Sequence, residues 1–501
     1  MFRGGFAHWA KRWLYLVHRW VGIGACLLFL IWFLSGLVMV YVPFPSLTTT
    51  ERLAGLPAID WRAVRIGPAE AVRAAQLSSA PRSLVLERIG DAAVWRVGPQ
   101  VAISAGTGER LAAFDAAQAA RIAAAFGRAD VAEVETLERD QWTVAGTFDG
   151  HRPLHRVRLA GESRRDLYVS STTGAVMLDT DARERFWNWI GSVPHWIYPT
   201  VLRKDNAAWR QVVMWVSGPC ILVALTGIWI GILRTRIGER RFRGGRMTPY
   251  HGWMLWHHVA GLVGGLTLTT WIFSGWLSVD PFRWFNGGAG LQASAVAAYA
   301  GAGEVPAMDP AALESAAGVG ARRVELYWAA GRPWLNVERP DGTTVLDART
   351  LQPVALERAV LVAAAAKLMP GQAVAAVDTL TTPDAYWYEV AALPRLPVMR
   401  VRFDDPAATW VHLDPATGRL LGSVDRRGRA YRWFYDLLHK WDLSVLTLNR
   451  PVWDGLLWVL SLVGIVTSAS GVWIGWLRLR GRRHSSHAVS VSPPRGWRAP
   501  Q

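Results

Sequence analysis

Cysteine is nearly absent from this chain, with Cys26 and Cys220 the two in 501 residues. Both sit inside apolar runs, which excludes a disulfide framework and any thiolate-held zinc or iron–sulfur centre. Acids are missing where bases cluster. Residues 1–19 carry Arg3, Lys11, Arg12 and Arg19 with no acid; 478–501 carry six Arg with no acid; 234–250 carry six Arg against Glu239 alone. These three segments hold sixteen bases and one acid, which is +15 of the formal +16. No large soluble part is basic, so the charge does not mark a nucleic-acid partner. Charge of either sign is missing altogether from 20–50, 211–233, 247–279 and 455–477.

What is there explains what is missing. Each uncharged stretch reaches the ~20 residues that cross a ~30 Å hydrocarbon core. They predict four transmembrane helices, roughly 16–41, 211–233, 254–278 and 455–477. The basic segments then orient them: both termini and 234–250 face the cytoplasm, and the long segments 42–208 and 280–452 lie outside. The first stretch is too long for a signal peptide and is followed by Tyr-Val-Pro-Phe-Pro, with no A-x-A-like cleavage site, so it reads as a retained anchor. Most of the 29 Trp read as interfacial belt residues.

The chain is internally duplicated. At an offset of 244, Asp140 meets Asp384, Arg156-Val157-Arg158 meets Arg400-Val401-Arg402, His195 meets His439, and Gly227, Trp229 and Gly231 meet Gly471, Trp473 and Gly475. At an offset of 239, His18 meets His257, Gly22 meets Gly261, and Ser35-Gly36 meets Ser274-Gly275. Two copies of helix–outer segment–helix follow, both starting inside. Such parallel repeats relate by an axis along the membrane normal. Short β-like runs such as Arg156–Leu159 and Leu167–Ser170, turns at Ser171–Gly174 and Asp414–Gly418, and Ala-rich helical patterns at 111–126 and 355–368 make the outer segments α+β.

The duplication selects four of the twelve histidines as two pairs, His18 with His257 and His195 with His439. Paired imidazoles in an apolar setting are what a low-spin b-type haem uses. One pair near each membrane face predicts two haem b groups and electron transfer between the faces. A lone interfacial histidine has a plainer reading as a belt residue; two matched pairs argue against that here. His258 is the rival of its neighbour His257. His251 and His258 are seven apart and would line an electron-entry or propionate region, or be solvated. Arg12 and Arg19 would pair with haem propionates, or serve only as positive-inside anchors. His151 and His155 have no histidine counterpart in the other copy, and their role stays open.

His18-Arg-Trp-Val-Gly22, the Ser-Gly near the end of that helix, the Thr-Gly turns at 173–174 and 417–418, and the Pro-His195 and Leu-His439 segments resemble the PepSY-associated transmembrane proteins. That bacterial inner-membrane family includes ferric-siderophore reductases such as the ferrioxamine reductase. The resemblance implies an α-helical membrane protein with four transmembrane helices in two parallel repeats and two α+β periplasmic PepSY-like domains. It also implies that electrons from a cytoplasmic reductase or quinol reach a ferric siderophore in the periplasm. The chain has no G-x-G-x-x-G fingerprint in its short cytoplasmic parts, so the donor is a separate molecule. The rival readings are a membrane-anchored PepSY binding or regulatory module without redox activity, and a siderophore or iron permease. The permease would need a polar path that the uncharged spans do not offer.

The expected organisation is an N-terminal segment with helix 1 (1–41), a PepSY-like region (42–182), an interfacial helix (183–208), helix 2 (209–236), a cytoplasmic loop (237–250) and helix 3 (251–279). A second PepSY-like region (280–426), interfacial helix (427–452), helix 4 (453–480) and a cytoplasmic tail (481–501) complete it.

Overall fold

The structure, a computed structural model, describes residues 2–77, 81–238, 240–285, 290–301, 303–390 and 394–481. The expected tail beyond Gly481, with His484 and His487, lies outside the described residues. The main helices are α1 (Phe2–Tyr41), α2 (Ala116–Gly127), α3 (Ala182–Ile190), α4 (Asn206–Leu233), α5 (Gly252–Val263), α6 (Gly265–Leu277), α7 (Arg358–Ala365) and α8 (Arg450–Leu479). The chain divides into two compact units. One comprises Met1–Phe33, Pro219–Thr269 and Val459–Gln501, the other Leu34–Gly218 and Thr270–Trp458.

The first unit is helical throughout its main elements. Among the described residues three helices, α1, α4 and α8, are long and apolar enough to cross a membrane. Trp20, Leu27, Trp229 and Trp473 are exposed on them. An apolar, solvent-incompatible helix surface is what a bilayer covers, so this is a membrane protein.

The expectation of four transmembrane helices with two separate outer domains is corrected on two counts. The predicted third helix is not one helix: α5 and α6 meet at Gly264 and are bent by 67°. Gly264 and Gly265 are the cause. A Cβ on Gly264 would lie 2.6 Å from Val463 Cγ1, and one on Gly265 2.7 Å from Ile228 Cγ1. The backbone approaches its neighbours where only glycine fits, and two adjacent glycines weaken the helix at that point. At the 239 offset the first copy has Ala25-Cys26 there, inside the uninterrupted α1.

The second correction concerns the outer segments. Their strands are β1 (Ser83–Ile89), β2 (Ala92–Val97), β3 (Val101–Ser104), β4 (Val131–Leu137), β5 (Leu154–Leu159), β6 (Asp166–Ser170) and β7 (Val176–Thr180). The second segment adds β8 (Arg323–Ala329), β9 (Arg332–Arg339), β10 (Gly342–Asp347), β11 (Val374–Leu380), β12 (Val398–Phe403), β13 (Trp410–Leu413) and β14 (Leu420–Val424). They form three antiparallel sheets ordered β10-β9-β8-β1-β2-β3, β4-β5-β6-β7 and β11-β12-β13-β14. The six-stranded sheet joins both copies through β1 and β8, with Leu84 opposite Leu326 and Leu86 opposite Val324. Alone, each three-stranded half would expose an apolar edge strand; pairing the equivalent strands removes both edges.

The two four-stranded sheets repeat each other. β5, β6 and β7 begin at 154, 166 and 176, and β12, β13 and β14 at 398, 410 and 420. Each carries a helix on one face. α2 packs Ala119, Ile122, Ala123 and Phe126 against Val157, Leu159, Leu167 and Val169. α7 packs Leu361, Ala364 and Ala365 against Met399, Val401, Val411 and Leu413. The apolar positions on α2 are spaced three and four apart, which makes one stripe on its surface.

The six-stranded sheet buries charge. Arg96 Nε lies 2.8 Å from Glu87, and Arg323 Nη1 lies 2.5 Å from Glu338. Burial alone would raise the Glu87 carboxyl; Arg96 first, then Arg323 and Arg52, hold it below the usual range. Removing one partner of such a pair strands the other charge. Glu87→Ala is therefore expected to cost about 3 kcal/mol, read as a lower unfolding midpoint of the full chain in detergent. An unchanged midpoint would refute the assignment.

Two further buried histidines make the fold acid-sensitive. Burial, then Arg96 and Arg52, push His151 down to about 4. Burial, then Arg400, opposed by Asp384, push His412 down to about 4. Both are neutral in the fold and regain an ordinary pKa near 6.5 on unfolding. The unfolded chain thus binds more protons between those values, and stability falls as pH drops from about 6.5 to about 4. Thermal unfolding should show a flat midpoint above pH 7 and a decline below 6.5. His412→Gln should make that decline shallower.

Candidate functional site: two histidine pairs

His18 on α1 and His257 on α5 face each other in the first unit, with ring centres 6.4 Å apart and planes at 46°. His195 ends the turn Ser192–His195, and His439 lies in the turn Leu438–Lys440; their ring centres are 6.0 Å apart with planes at 68°. Two imidazoles that share one metal ion at about 2 Å from each nitrogen have ring centres ~6 Å apart. Both separations fit a single ion between the rings. Among the described residues no group of three or more His, Cys, Asp or Glu could hold a metal. Pairs are what this fold offers.

Each of the four rings is held at Nδ1. His18 Nδ1 is 3.1 Å from Val223 O on α4, and His257 Nδ1 is 2.9 Å from Thr467 O on α8. A carbonyl can only accept, so both Nδ1 atoms carry the proton and Nε2 carries the lone pair. His195 Nδ1 lies 3.1 Å from Ser35 Oγ, and His439 Nδ1 3.0 Å from Ser274 Oγ. Ser274 donates its own proton to Trp271 O at 3.0 Å, so it accepts from His439. A hydrogen bond from the other ring nitrogen is what fixes the tautomer and orientation of a metal-binding histidine. Burial, then His195 and Lys440, push His439 down to about 3, which keeps its ring neutral.

A glycine backs every ring. A Cβ on Gly227 would lie 2.9 Å from His18 Cε1, and one on Gly471 3.1 Å from His257 Cε1. A Cβ on Gly36 would lie 3.2 Å from His195 Cε1, and one on Gly275 3.5 Å from His439 Cε1. In both Ser-Gly pairs the hydroxyl therefore orients the ring, and at 36 the glycine also makes room for it. In the sequence they stand out only as repeat matches and as part of the family resemblance. Gly227 and Gly471 stand out only as repeat matches. The carbonyls of Val223 and Thr467 left no signal, because main-chain acceptors are not encoded by residue type. Their equivalence at the 244 offset was the available clue.

The remaining candidates lie outside the two ring pairs. His258 is buried, 5.2 Å from the Tyr250 ring, with Nε2 3.2 Å from Thr235 Oγ1. It is His257, not His258, that the fold sets opposite His18. His251 is exposed just before α5, with Arg246 Nη1 2.6 Å from its Nδ1. Arg12 and Arg19 are exposed on α1. His155 is engaged at both nitrogens, by Thr136 Oγ1 and Phe114 O, each at 2.8 Å. His151 Nδ1 is 3.3 Å from Ser170 Oγ. Both are built into the first four-stranded sheet and its connections.

A helical unit apolar enough to span a bilayer and a β-rich unit, each assembled from two repeats around a pair of histidines, define a duplicated membrane protein. The family model of the PepSY-associated TM region matches residues 15–335, and the chain belongs to that family. No curated protein matches it.

Proposed function

We propose that this protein is a di-haem b-type electron-transfer protein of the bacterial inner membrane that reduces a ferric siderophore in the periplasm. The observation that supports it is the recurrence of one arrangement twice: two imidazoles ~6 Å apart, each tied at Nδ1 and backed by glycine. Held between such rings by His18 and His257 and by His195 and His439, haem would supply a one-electron carrier. His18 and His257 would serve the cytoplasmic side, and His195 and His439 the periplasmic side. The residues' own part is orientation. The carbonyls of Val223 and Thr467 and the hydroxyls of Ser35 and Ser274 hold the rings at Nδ1 and leave Nε2 for the metal. The apolar helices around the pairs exclude water.

The substrate is chosen on chemistry. One electron converts the ferric ion of a hydroxamate or catecholate chelate to Fe(II), which binds hard oxygen ligands less well and is released. Quinol or a cytoplasmic reductase supplies that electron. The basic segments 1–19, 234–250 and 478–501 support a cytoplasmic position for both termini.

The test is a dithionite-reduced minus oxidised spectrum of the full chain in detergent, with haem counted by pyridine haemochrome. Two low-spin b haems per chain are expected, followed by Fe(II) release from a ferric hydroxamate trapped by a ferrous chelator. No haem in protein from haem-replete cells would leave a PepSY binding module as the better reading.

A further inference from the structure

The two copies differ at one histidine. Tyr435 lies flat against His439, with ring centres 5.3 Å apart and planes at 19°. Tyr431 stacks in turn on Tyr435 at 4.9 Å and 28°, and Phe285 closes the column edge-on at 5.2 Å from Tyr431. The three stacked residues are four apart in sequence. Tyr435 rides on a π-helical turn, Arg432–Leu437, which follows Tyr431 and runs into the turn bearing His439. A π turn is costly and rare, and such turns concentrate at functional sites. At the 244 offset the first copy has Trp187 and Gly191 in place of Tyr431 and Tyr435. A Cβ on Gly191 would already lie 2.9 Å from Val38 Cγ1, so a tyrosine does not fit at that position.

We propose that Tyr435 is a positioning residue for the His195–His439 pair, its ring fixing the plane of His439 so that a metal held between the two imidazoles has crossed axial planes. The inference rests on the haem reading above. His439 is held from two directions, by Ser274 Oγ at Nδ1 and by the Tyr435 face. Rotation of the imidazole about a metal–nitrogen bond would break both contacts. The planes at this pair stand at 68°, against 46° for His18 and His257. Crossed planes bring the iron d orbitals closer to degeneracy, so the ferric low-spin EPR signal becomes strongly anisotropic. Nearer-parallel planes give the ordinary rhombic signal. The two sites are therefore spectroscopically distinct, and Tyr435 sustains the difference.

The experiment is EPR of the ferric full chain in detergent, for wild type, Tyr435→Phe and Tyr435→Leu, with haem counted in each. Tyr435→Phe keeps the ring and should leave both signals in place. Tyr435→Leu should shift one signal from the strongly anisotropic type toward the rhombic type, or lose that haem alone, while the other signal stays unchanged. Identical spectra in Tyr435→Leu and wild type would overturn the proposal. So would loss of both haems in Tyr435→Leu, or an equal shift in Tyr435→Phe. Wild type without haem would instead sink the haem reading itself.

Discussion

His257→Ala is expected to halve the haem content of the purified protein, from two per chain to one, while His258→Ala keeps both. The two residues are neighbours in sequence, which makes the pair a sharp control. Only His257 faces His18, at 6.4 Å between ring centres, with its Nδ1 proton given to Thr467 O. His258 is turned to Tyr250 and Thr235. If the pair holds haem as proposed, removing one imidazole takes away one metal–nitrogen bond and leaves the opposite ring without a counterpart. His439→Ala should likewise remove one haem, and the haem that survives should differ between the two variants. The double variant His257→Ala, His439→Ala should bind none. Pyridine haemochrome counts and the position of the reduced α band read all of this without an activity assay. Two haems in His257→Ala would mean that the His18–His257 pair is not a ligand pair. One haem in His258→Ala would mean that the wrong neighbour has been assigned.

Much of this architecture is legible in the residues, and the parts that are not have physical reasons. Charge-free runs are unmistakable because a bilayer core tolerates so little charge, and α1, α4 and α8 fall on three of them. The fourth run hides a break, because hydropathy does not register that Gly264 and Gly265 lack side chains. The Gly-Gly step was nevertheless visible, and its meaning came from the crowding by Val463 and Ile228. The histidine pairs stood out because duplication sets equivalent residues about a shared axis. Their tautomers did not, since they depend on main-chain carbonyls of Val223 and Thr467 more than 200 residues away. The six-stranded sheet was invisible for a related reason. Alternation identifies a strand and its buried face but not its partner, and β1 meets β8 across about 240 residues. Two separate outer domains were the natural expectation from a repeat. The pooled sheet arises because equivalent edge strands complement each other.

Gly227→Val should abolish the same haem as His18→Ala, although the histidine is still present. A Cβ at 227 would lie 2.9 Å from His18 Cε1 and 3.5 Å from its Nδ1, closer than real side chains approach. The imidazole has no tolerant direction to give way. Its Nδ1 is pinned to Val223 O, one helical turn from Gly227 on the same helix, so displacing the ring breaks that hydrogen bond as well. The equivalent change, Gly471→Val, acts on the facing ring. Its Cβ would lie 3.1 Å from His257 Cε1 and would clash with Cys26 Sγ. Helix propensity runs the other way, since replacing glycine inside a helix gains up to about 1 kcal/mol. Loss of haem in these variants would thus reflect crowding and not a weakened helix. Gly24→Ala is the matching control: nothing lies within 4 Å of a Cβ there, on the same helix as His18. It should keep both haems and leave stability unchanged or slightly raised. If Gly227→Val retained both haems, the space behind His18 would not be reserved for the ring. The glycines at 227 and 471 would then be marks of helix packing alone.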